Sequence, residues 1–177
     1  MTTTPTPILV SACLLGQPTR YDGRHARCMH HVLQRWIDGG RVLALCPEVA
    51  GGLPTPRSPM EIDPLLDGAD VLAGTAQVLE PGGIDRSAFF ISGAQAALKA
   101  VRESGIRLAI LKEGSPSCGS SLIADGHFSG GRVVGQGVTA AALRAAGVQV
   151  FSEHQLDQAA EWLMARERRG PIEDWCI

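Results

Sequence analysis

The sequence predicts an α/β protein with one domain, in which a mostly parallel sheet is flanked by helices as a Rossmann-like three-layer sandwich. Short apolar runs typical of buried strands alternate with amphipathic helical segments, and such alternation implies right-handed crossovers between parallel strands. A chain of 177 residues fits a single domain. We therefore treat residues 1–177 as one domain and expect residues 1–6 and 168–177 to be loose tails.

The first half of the chain contains two predicted strands, and each strand is followed by a cysteine. Residues 8–10 form an apolar run that leads into Cys13, and residues 42–45 form a second run that leads into Cys46. Between them, apolar residues at spacings of three and four predict a helix over 29–37. The glycines and prolines of 51–64 predict an ordered loop or a lid without a regular element, long enough to cover a site.

The second half repeats the alternation of helix and strand. An apolar face predicts a long helix that begins at Asp85 and ends at Gly105, and a third strand leads through a loop to Cys118. The remaining predicted elements follow the same rules. They are the third strand at 106–111, a glycine-rich stretch at 126–137, a helix at 139–146, a fourth strand at 148–151 and a final helix at 154–166.

Composition and charge exclude several classes of protein. Hydrophobic residues make up 45% and charged residues 19% of the chain, which is typical of globular proteins rather than disordered ones. The formal net charge of -2 gives no strong attraction to nucleic acid or anionic membranes. The polar start is not a secretory signal, and no apolar stretch has the roughly 20 residues of a membrane span. We expect a cytoplasmic protein.

Three of the five cysteines occupy equivalent positions. Cys13, Cys46 and Cys118 each follow a predicted strand and lie in loops rich in glycine, proline or serine. Because the carboxyl ends of parallel strands meet at one edge of a sheet, three thiols from three strands can converge there. The sequence has no tight Cys-x-x-Cys pair of the kind that structural zinc sites often use. A cluster held by three thiolates fits the wide spacing better, although this pattern leaves zinc open.

The other two cysteines give weaker signals. Cys28 precedes the first helix beside His25, His30 and His31, so it is a candidate fourth ligand, but a thiol among solvated histidines is the more common arrangement. Cys176 is second from the end of the chain, and we assign it no role.

The cysteines lie in motifs that closely resemble the TudS-like thiouracil desulfidase family, formerly catalogued as a domain of unknown function. The resemblance extends from about Ile8 to Arg166. It rests on Val10-Ser11-Ala12-Cys13-Leu14-Leu15-Gly16, Tyr21-Asp22-Gly23, Cys46-Pro47-Glu48, Gly51-Gly52-Leu53-Pro54-Thr55-Pro56-Arg57 and Leu111-Lys112-Glu113-Gly114-Ser115-Pro116-Ser117-Cys118-Gly119.

The resemblance implies a [4Fe-4S] cluster bound by three cysteines, with one open iron that binds the sulfur of a thiolated pyrimidine. Sulfur is then removed as hydrosulfide without net redox change, giving the oxo form of a 2-thiouracil or 4-thiouracil type of substrate. By position in the motifs, the implied ligands are Cys13, Cys46 and Cys118. Glu48 corresponds to the acid/base glutamate and Ser115 to the serine near the cluster, with Ser117 as the alternative.

Basic residues near the motifs are candidates for substrate binding. Arg57 could hold an oxygen or phosphate of the substrate, Lys112 lies in the third cysteine motif, and Arg20 or Arg24 could act near the first cysteine. The expected partner is a small thiolated nucleobase or nucleoside. The sequence does not distinguish these from a thiolated base within RNA, and it leaves the oligomeric state open.

Two other functions remain possible at this point. One is a non-catalytic iron-sulfur or metal-binding redox protein, which would normally close every iron with a fourth protein ligand. The other is a thiol enzyme with a cysteine nucleophile, which needs a base beside the thiol, yet the histidines cluster near Cys28. A fourth protein ligand such as Cys28 would favour the first alternative, and loss of activity on alkylation in the absence of iron would favour the second.

Overall fold

A computed structural model describes residues 5–169 and confirms the predicted α/β class. Its centre is a parallel sheet of four strands in the order β2-β1-β5-β8. These strands are β1 (Ile8–Ser11), β2 (Val42–Leu45), β5 (Leu108–Leu111) and β8 (Gln149–Ser152). The predicted strands differ from them by at most two residues at either end.

Helices cover both faces of this sheet and make the expected three layers. Helices α1 (His31–Asp38) and α6 (Leu156–Arg169) pack on one face, where Val10, Ile110 and Trp36 share a buried core. Helices α4 (Ser87–Ser104) and α5 (Val138–Ala145) cover the other face. Alternate residues of β5 point to opposite faces, so a strand that is buried on both sides is apolar throughout.

The strand order creates a crevice beside β1. The chain passes from β1 outward to β2 and then crosses back to β5 on the other side of β1. In open parallel sheets, ligands bind outside the carboxyl ends of the strands where the order reverses in this way. Cys13 and Cys118 follow the two strands that flank this point, and Cys46 follows the next strand.

Short elements complete the fold around that edge. A 3-10 helix (Ala12–Leu15) follows β1. The others are α2 (Pro47–Ala50), β3 (Glu61–Ile62), α3 (Gly68–Ala73), β4 (Val78–Leu79), β6 (Leu122–Ala124) and β7 (Arg132–Val134).

The prediction that 51–64 has no regular element is wrong at its end, because β3 pairs antiparallel with β4. The glycine-rich stretch at 126–137 likewise contains β7, which pairs with β6. Both ribbons have strands of only two or three residues, too short for an alternating pattern to appear among glycines and prolines.

Several predicted features lie outside the described residues or at their limit. Residues 1–4 and 170–177, and therefore Cys176, are not among the residues that the structure describes. Residues 168 and 169, at the start of the predicted tail, belong to α6. Within 5–169, no helix has the length and apolar character needed to cross a membrane.

Two glycines bring α2 unusually close to α4. A Cβ atom on Gly93 would lie 2.1 Å from the carbonyl oxygen of Pro47, and a Cβ on Gly51 would lie 2.1 Å from that of Phe89. Neither position tolerates a side chain unless the backbone moves. Since α2 contains Glu48 and directly follows Cys46, this backbone contact fixes the position of two candidate site residues.

We expect Gly93→Ala to lower the free energy of unfolding by at least about 2 kcal/mol, because overpacking against a backbone atom forces the two helices apart. Thermal and urea unfolding would measure the loss. Ser92→Ala, on the exposed side of the same helix, is the control and should leave stability within about 0.5 kcal/mol of the parent. Equal stability of the two variants would contradict the proposed contact.

Candidate active site

Cys13, Cys46 and Cys118 line a single cavity of about 310 Å³. Cys13 lies in the 3-10 helix after β1, Cys46 is the N-cap residue of α2, and Cys118 lies in the loop after β5. Cys13 and Cys118 are buried, Cys46 is partly buried, and all three are free thiols. The structure thus brings together the three cysteines that the sequence predicted to converge.

The protein alone does not favour thiolates at this site. Burial, with repulsion from a Cys46 thiolate, raises the pKa of Cys13 to about 11. Burial also raises the pKa of Cys118 well above its usual range, although a hydrogen bond from Ser11 opposes this effect. Three thiolates in this cavity therefore need a positively charged partner, and metal coordination provides one by displacing the protons.

Glu48 lies in the cavity wall next to the cysteines. Its carboxylate is held by Arg57, whose Nε and Nη2 lie 2.8 Å and 2.5 Å from Oε2. Its other oxygen, Oε1, accepts a hydrogen bond of 3.1 Å from the Ser115 hydroxyl. Arg57 thus holds one oxygen and Ser115 the other, so the carboxylate is oriented before any substrate binds.

The predicted contact of Arg57 with substrate needs correction. Its side chain is only 4% exposed, and every N–H of the guanidinium is directed to an acceptor of the protein. The acceptors besides Glu48 are the carbonyl oxygens of Thr19 and Pro54 and the hydroxyl of Thr55. Arg57 therefore positions Glu48 and has no donor left for a ligand.

The two candidate serines occupy different environments. The Ser115 hydroxyl lines the cavity, donates to Glu48 and accepts the backbone N–H groups of Ser117 and Cys118, both at 3.1 Å. The Ser117 side chain is fully buried, is hydrogen-bonded to the Thr139 hydroxyl at 2.9 Å, and is not part of the cavity wall. This placement corrects the expectation that Ser117 could act on substrate and leaves Ser115 as the candidate.

Lys112, the other predicted substrate-binding residue, lines the cavity. Its Nζ lies 2.5 Å from a carboxylate oxygen of Glu153 and 3.1 Å from the carbonyl oxygen of Glu113. Two of its three N–H donors are therefore engaged, and one remains for a ligand. Arg20 also lines the cavity and pairs with Asp22 at 3.3 Å, whereas Arg24 does not line it.

Glu113 has a role that the sequence did not reveal. Its carboxylate accepts the backbone N–H groups of Ser120, Ser121 and Leu122 and the hydroxyls of both serines. Burial alone would raise the pKa of Glu113, but these hydrogen bonds outweigh burial and lower the pKa from 4.5 to about 2. The carboxylate thus closes the loop that contains Cys118.

We expect Glu113→Gln to destabilise the metal-free protein by about 2–3 kcal/mol at pH 7, since hydrogen bonds to a buried charge are lost. Because folding lowers the pKa of Glu113, its contribution is complete above pH 4.5 and is lost as the pH falls toward 2. Urea unfolding at pH 7 and pH 3 should therefore show a smaller difference from the parent at pH 3. Glu103→Gln, at a 65% exposed side chain, is the control. A difference that does not change with pH would contradict this assignment.

The histidines near Cys28 form a separate group on the surface. His30 Nδ1 accepts the N–H of Val32 at 3.3 Å, so a neutral ring has its proton on Nε2, which lies 3.6 Å from Asp157 Oδ2. The ring of His31 stacks on that of His30. Helix capping by His30 and its contact with Asp157 therefore give this group a structural role. Cys28 packs against the core beneath it and does not line the cavity.

The cavity also includes residues that the sequence analysis did not single out. Part of the predicted lid does cover the site, because residues 57–61 form one wall. The neighbouring residues explain why these were missed. Arg132 follows two glycines, and Ser11 directly follows an apolar run. The main missed lining residues are Ser11, Thr19, Tyr21, Met60, Glu61 and Arg132.

The donor set of this cavity fits an iron-sulfur cluster. Three soft sulfur ligands are present, and thiolates select iron-sulfur clusters over hard cations such as Mg²⁺ or Ca²⁺. Thr19 Oγ1 is buried without a hydrogen-bond partner among residues 5–169, and Thr19 lines the same cavity. A bound group with acceptor atoms, such as the sulfides of a cluster, would satisfy this hydroxyl.

Comparisons with known proteins identify the family of this chain. A solved structure named as the [4Fe-4S]-dependent thiouracil desulfidase TudS is 48% identical and has a TM-score of 0.82, over 90% of this chain and 99% of that one. The uncharacterized protein YbbK of Bacillus subtilis is 43% identical over 150 residues, which cover 85% of this chain and 97% of YbbK. The 2-thiouracil desulfurase family matches residues 8–155. The predicted family resemblance is thereby confirmed, and the chain belongs to the 2-thiouracil desulfurase family.

Proposed function

We propose that this protein is an iron-sulfur-dependent desulfidase that converts a thiouracil-type pyrimidine to its oxo form and releases hydrosulfide. The observation that carries the proposal is one cavity that combines three cysteines with the Glu48–Ser115 pair. Three cysteines without an acid/base pair would be typical of a metal-storage site. A Glu48–Ser115 pair without cysteines would be typical of a hydrolase that needs no sulfur ligand. Their combination suits hydrolysis of a carbon–sulfur bond at a sulfur-binding metal.

We assign Cys13, Cys46 and Cys118 as the three ligands of a [4Fe-4S] cluster. Among residues 5–169, the ligand atoms of His30, His31 and Asp157 all lie within 4.8 Å of one another. The sulfurs of Cys13, Cys46 and Cys118 do not form such a tight group. Three thiolates on one tetrahedral zinc would lie about 3.8 Å apart, given Zn–S bonds of about 2.3 Å. Thiolates that bind different irons of a cluster lie farther apart, so the spacing favours a cluster.

An open iron is supported by what the cavity wall contains. Within the described part of the chain, no fourth cysteine and no histidine line the cavity. An electron carrier normally closes every iron with a protein ligand, so this wall favours a catalytic cluster over a redox carrier. It also disfavours Cys13 or Cys118 as a nucleophile, since a buried thiol of raised pKa with no histidine beside it reacts poorly.

When bound, the cluster supplies a Lewis-acidic iron that favours the soft sulfur of a thiocarbonyl and makes the adjacent carbon electrophilic. The reaction exchanges C=S for C=O, with one water consumed and one hydrogen sulfide formed, and needs no electron donor. Glu48 is placed to take a proton from the attacking water and return it to the departing sulfur. Arg57 holds this carboxylate, and Ser115 donates a hydrogen bond to it.

The remaining polar groups of the wall are suited to bind the pyrimidine. Among residues 5–169, two acceptors engage the Lys112 ammonium, which leaves one N–H donor for a ring oxygen. The substrate is a free thiolated nucleobase or nucleoside, since a formal net charge of -2 gives no general attraction to RNA. We also assign the protein to the cytoplasm, where a reducing environment keeps its cysteines free.

Anaerobic turnover of 2-thiouracil and 4-thiouracil tests the proposal. Protein reconstituted with iron and sulfide is compared with the iron-free protein, and uracil and sulfide are measured by chromatography and a colorimetric assay. We expect uracil and sulfide in equal amounts, only in samples with about four irons per chain. Cluster formation without turnover of either compound would instead favour the redox carrier.

A further inference from the structure

Ser11 joins the two strands on either side of the crevice. It is the last residue of β1, is only 2% exposed, and lies in the cavity wall. Its Oγ accepts the backbone N–H of Lys112, just past the end of β5, at 3.0 Å. That same Oγ lies 3.5 Å from Cys118 Sγ, with the hydroxyl as donor.

The ionised state of Cys118 fixes the direction of the second hydrogen bond, because a thiolate has no proton to donate. A serine hydroxyl has one proton, and the Lys112 N–H already occupies a lone pair of Oγ. Among residues 5–169, Cys118 Sγ is the one acceptor in reach of that proton. A thiolate at Cys118 can only accept, so ionisation of the thiol strengthens this contact, all the more in a buried environment.

Among the residues that the structure describes, no side chain donates a hydrogen bond to either of the other two cysteines. The Cys46 thiol donates to the carbonyl oxygen of Thr19 at 3.8 Å, a contact that would become repulsive once the thiol is ionised. Cys13 has no side-chain hydrogen bond to its sulfur within the described residues. The hydrogen bond from Ser11 is therefore specific to Cys118.

We propose that Ser11 is a positioning residue that donates a hydrogen bond to the Cys118 thiolate and thereby holds and tunes this cluster ligand. The inference rests on the proposed cluster. An O–H donor draws electron density from the sulfur, which stabilises the more negative, reduced state of a cluster and slows loss of the ligand. Ser11 does not contact substrate in this role.

The test compares Ser11→Ala with the parent after anaerobic reconstitution. We expect iron release to a chelator to become about ten- to a hundredfold faster, as is typical when a group that supports a metal ligand is removed. We also expect a more negative midpoint potential, by about 59 mV if the hydrogen bond favours the reduced state tenfold. Electron paramagnetic resonance during a redox titration would measure this shift.

Two further variants separate tuning from a general loss of stability. Ser152→Ala removes a serine that is also 2% exposed and also ends a strand of the same sheet, but that contacts no cysteine. It should change neither iron release nor the potential. Ser11→Thr keeps the hydroxyl and should restore both values toward those of the parent.

The outcomes distinguish the inference from the proposed function. A parent protein that binds no cluster would overturn the proposed function itself. A parent with about four irons and a Ser11→Ala variant of unchanged potential and iron release would leave the function standing and overturn the role of Ser11. Equal effects of Ser11→Ala and Ser152→Ala would also overturn it, since they would indicate only the loss of a buried hydroxyl.

Discussion

Replacing Cys118 with serine is expected to abolish both iron binding and desulfuration. Cys118 is the most enclosed of the three proposed ligands, and a hard hydroxyl is a poor substitute for a soft thiolate on iron. In the described part of the chain, no thiol besides those of the three proposed ligands lines the cavity, so none is left to replace it. Iron and sulfide analysis with the visible absorption of the reconstituted protein would measure the loss, and turnover should fall below detection.

The matched control for this experiment is Cys28→Ser. Cys28 is partly buried and packs near the same β1 core, yet it lies outside the cavity wall. This variant should keep its iron and most of its activity. Full iron content and activity in Cys118→Ser would refute the ligand assignment, whereas iron loss in Cys28→Ser alone would point to Cys28 as a ligand.

The parts of the fold that the sequence predicted well are those in which one physical rule dominates. Strands buried on both faces must be apolar, so β1 and β5 stand out as short runs that each lead to a cysteine. The edge strand β2 is only partly buried, but it is equally apolar in sequence and leads to Cys46. The long helix α4 is equally clear from its apolar face. The elements that escaped prediction, such as α2 with four residues and β3 with two, are too short for a period to develop.

The sequence predicted which cysteines converge, but it did not predict the hydrogen bonds that connect the residues around them. Parallel strands bring Cys13, Cys46 and Cys118 to one edge of the sheet, whatever conformation the loops adopt. The sequence pattern alone therefore predicts their convergence. The partner of Arg57 depends on how the loop before it folds back onto α2. Glu48 and Ser115 are 67 residues apart, so their hydrogen bond cannot be inferred from spacing.

The same distinction explains the two corrected roles. An arginine in a proline-rich loop is usually solvated, and sequence gives no sign that Arg57 is enclosed beneath Glu48. Ser115 and Ser117 are two positions apart in one motif, and only the turn of the loop decides which hydroxyl lines the cavity. In both cases tertiary structure, rather than residue type, determines which group can reach a substrate.

Glu48→Gln is expected to lower kcat by about 10²–10⁴-fold while the iron content stays that of the parent. Glutamine keeps the shape of the side chain and an oxygen for the Ser115 hydroxyl, but it cannot take up a proton from water. The carboxylate does not contact a cysteine sulfur through a hydrogen bond within the described residues, so cluster assembly should proceed. Turnover per cluster, with iron measured on the same sample, separates these two effects.

Glu80→Gln provides a close control for the loss of a paired charge. The Glu80 side chain is 13% exposed, as is that of Glu48, and it also pairs with an arginine, but it lies outside the cavity wall. If both variants lose activity equally, the loss reflects a broken ion pair and Glu48 has no chemical role. If Glu48→Gln alone loses turnover and keeps its iron, the carboxylate must act in the proton transfers that follow substrate binding.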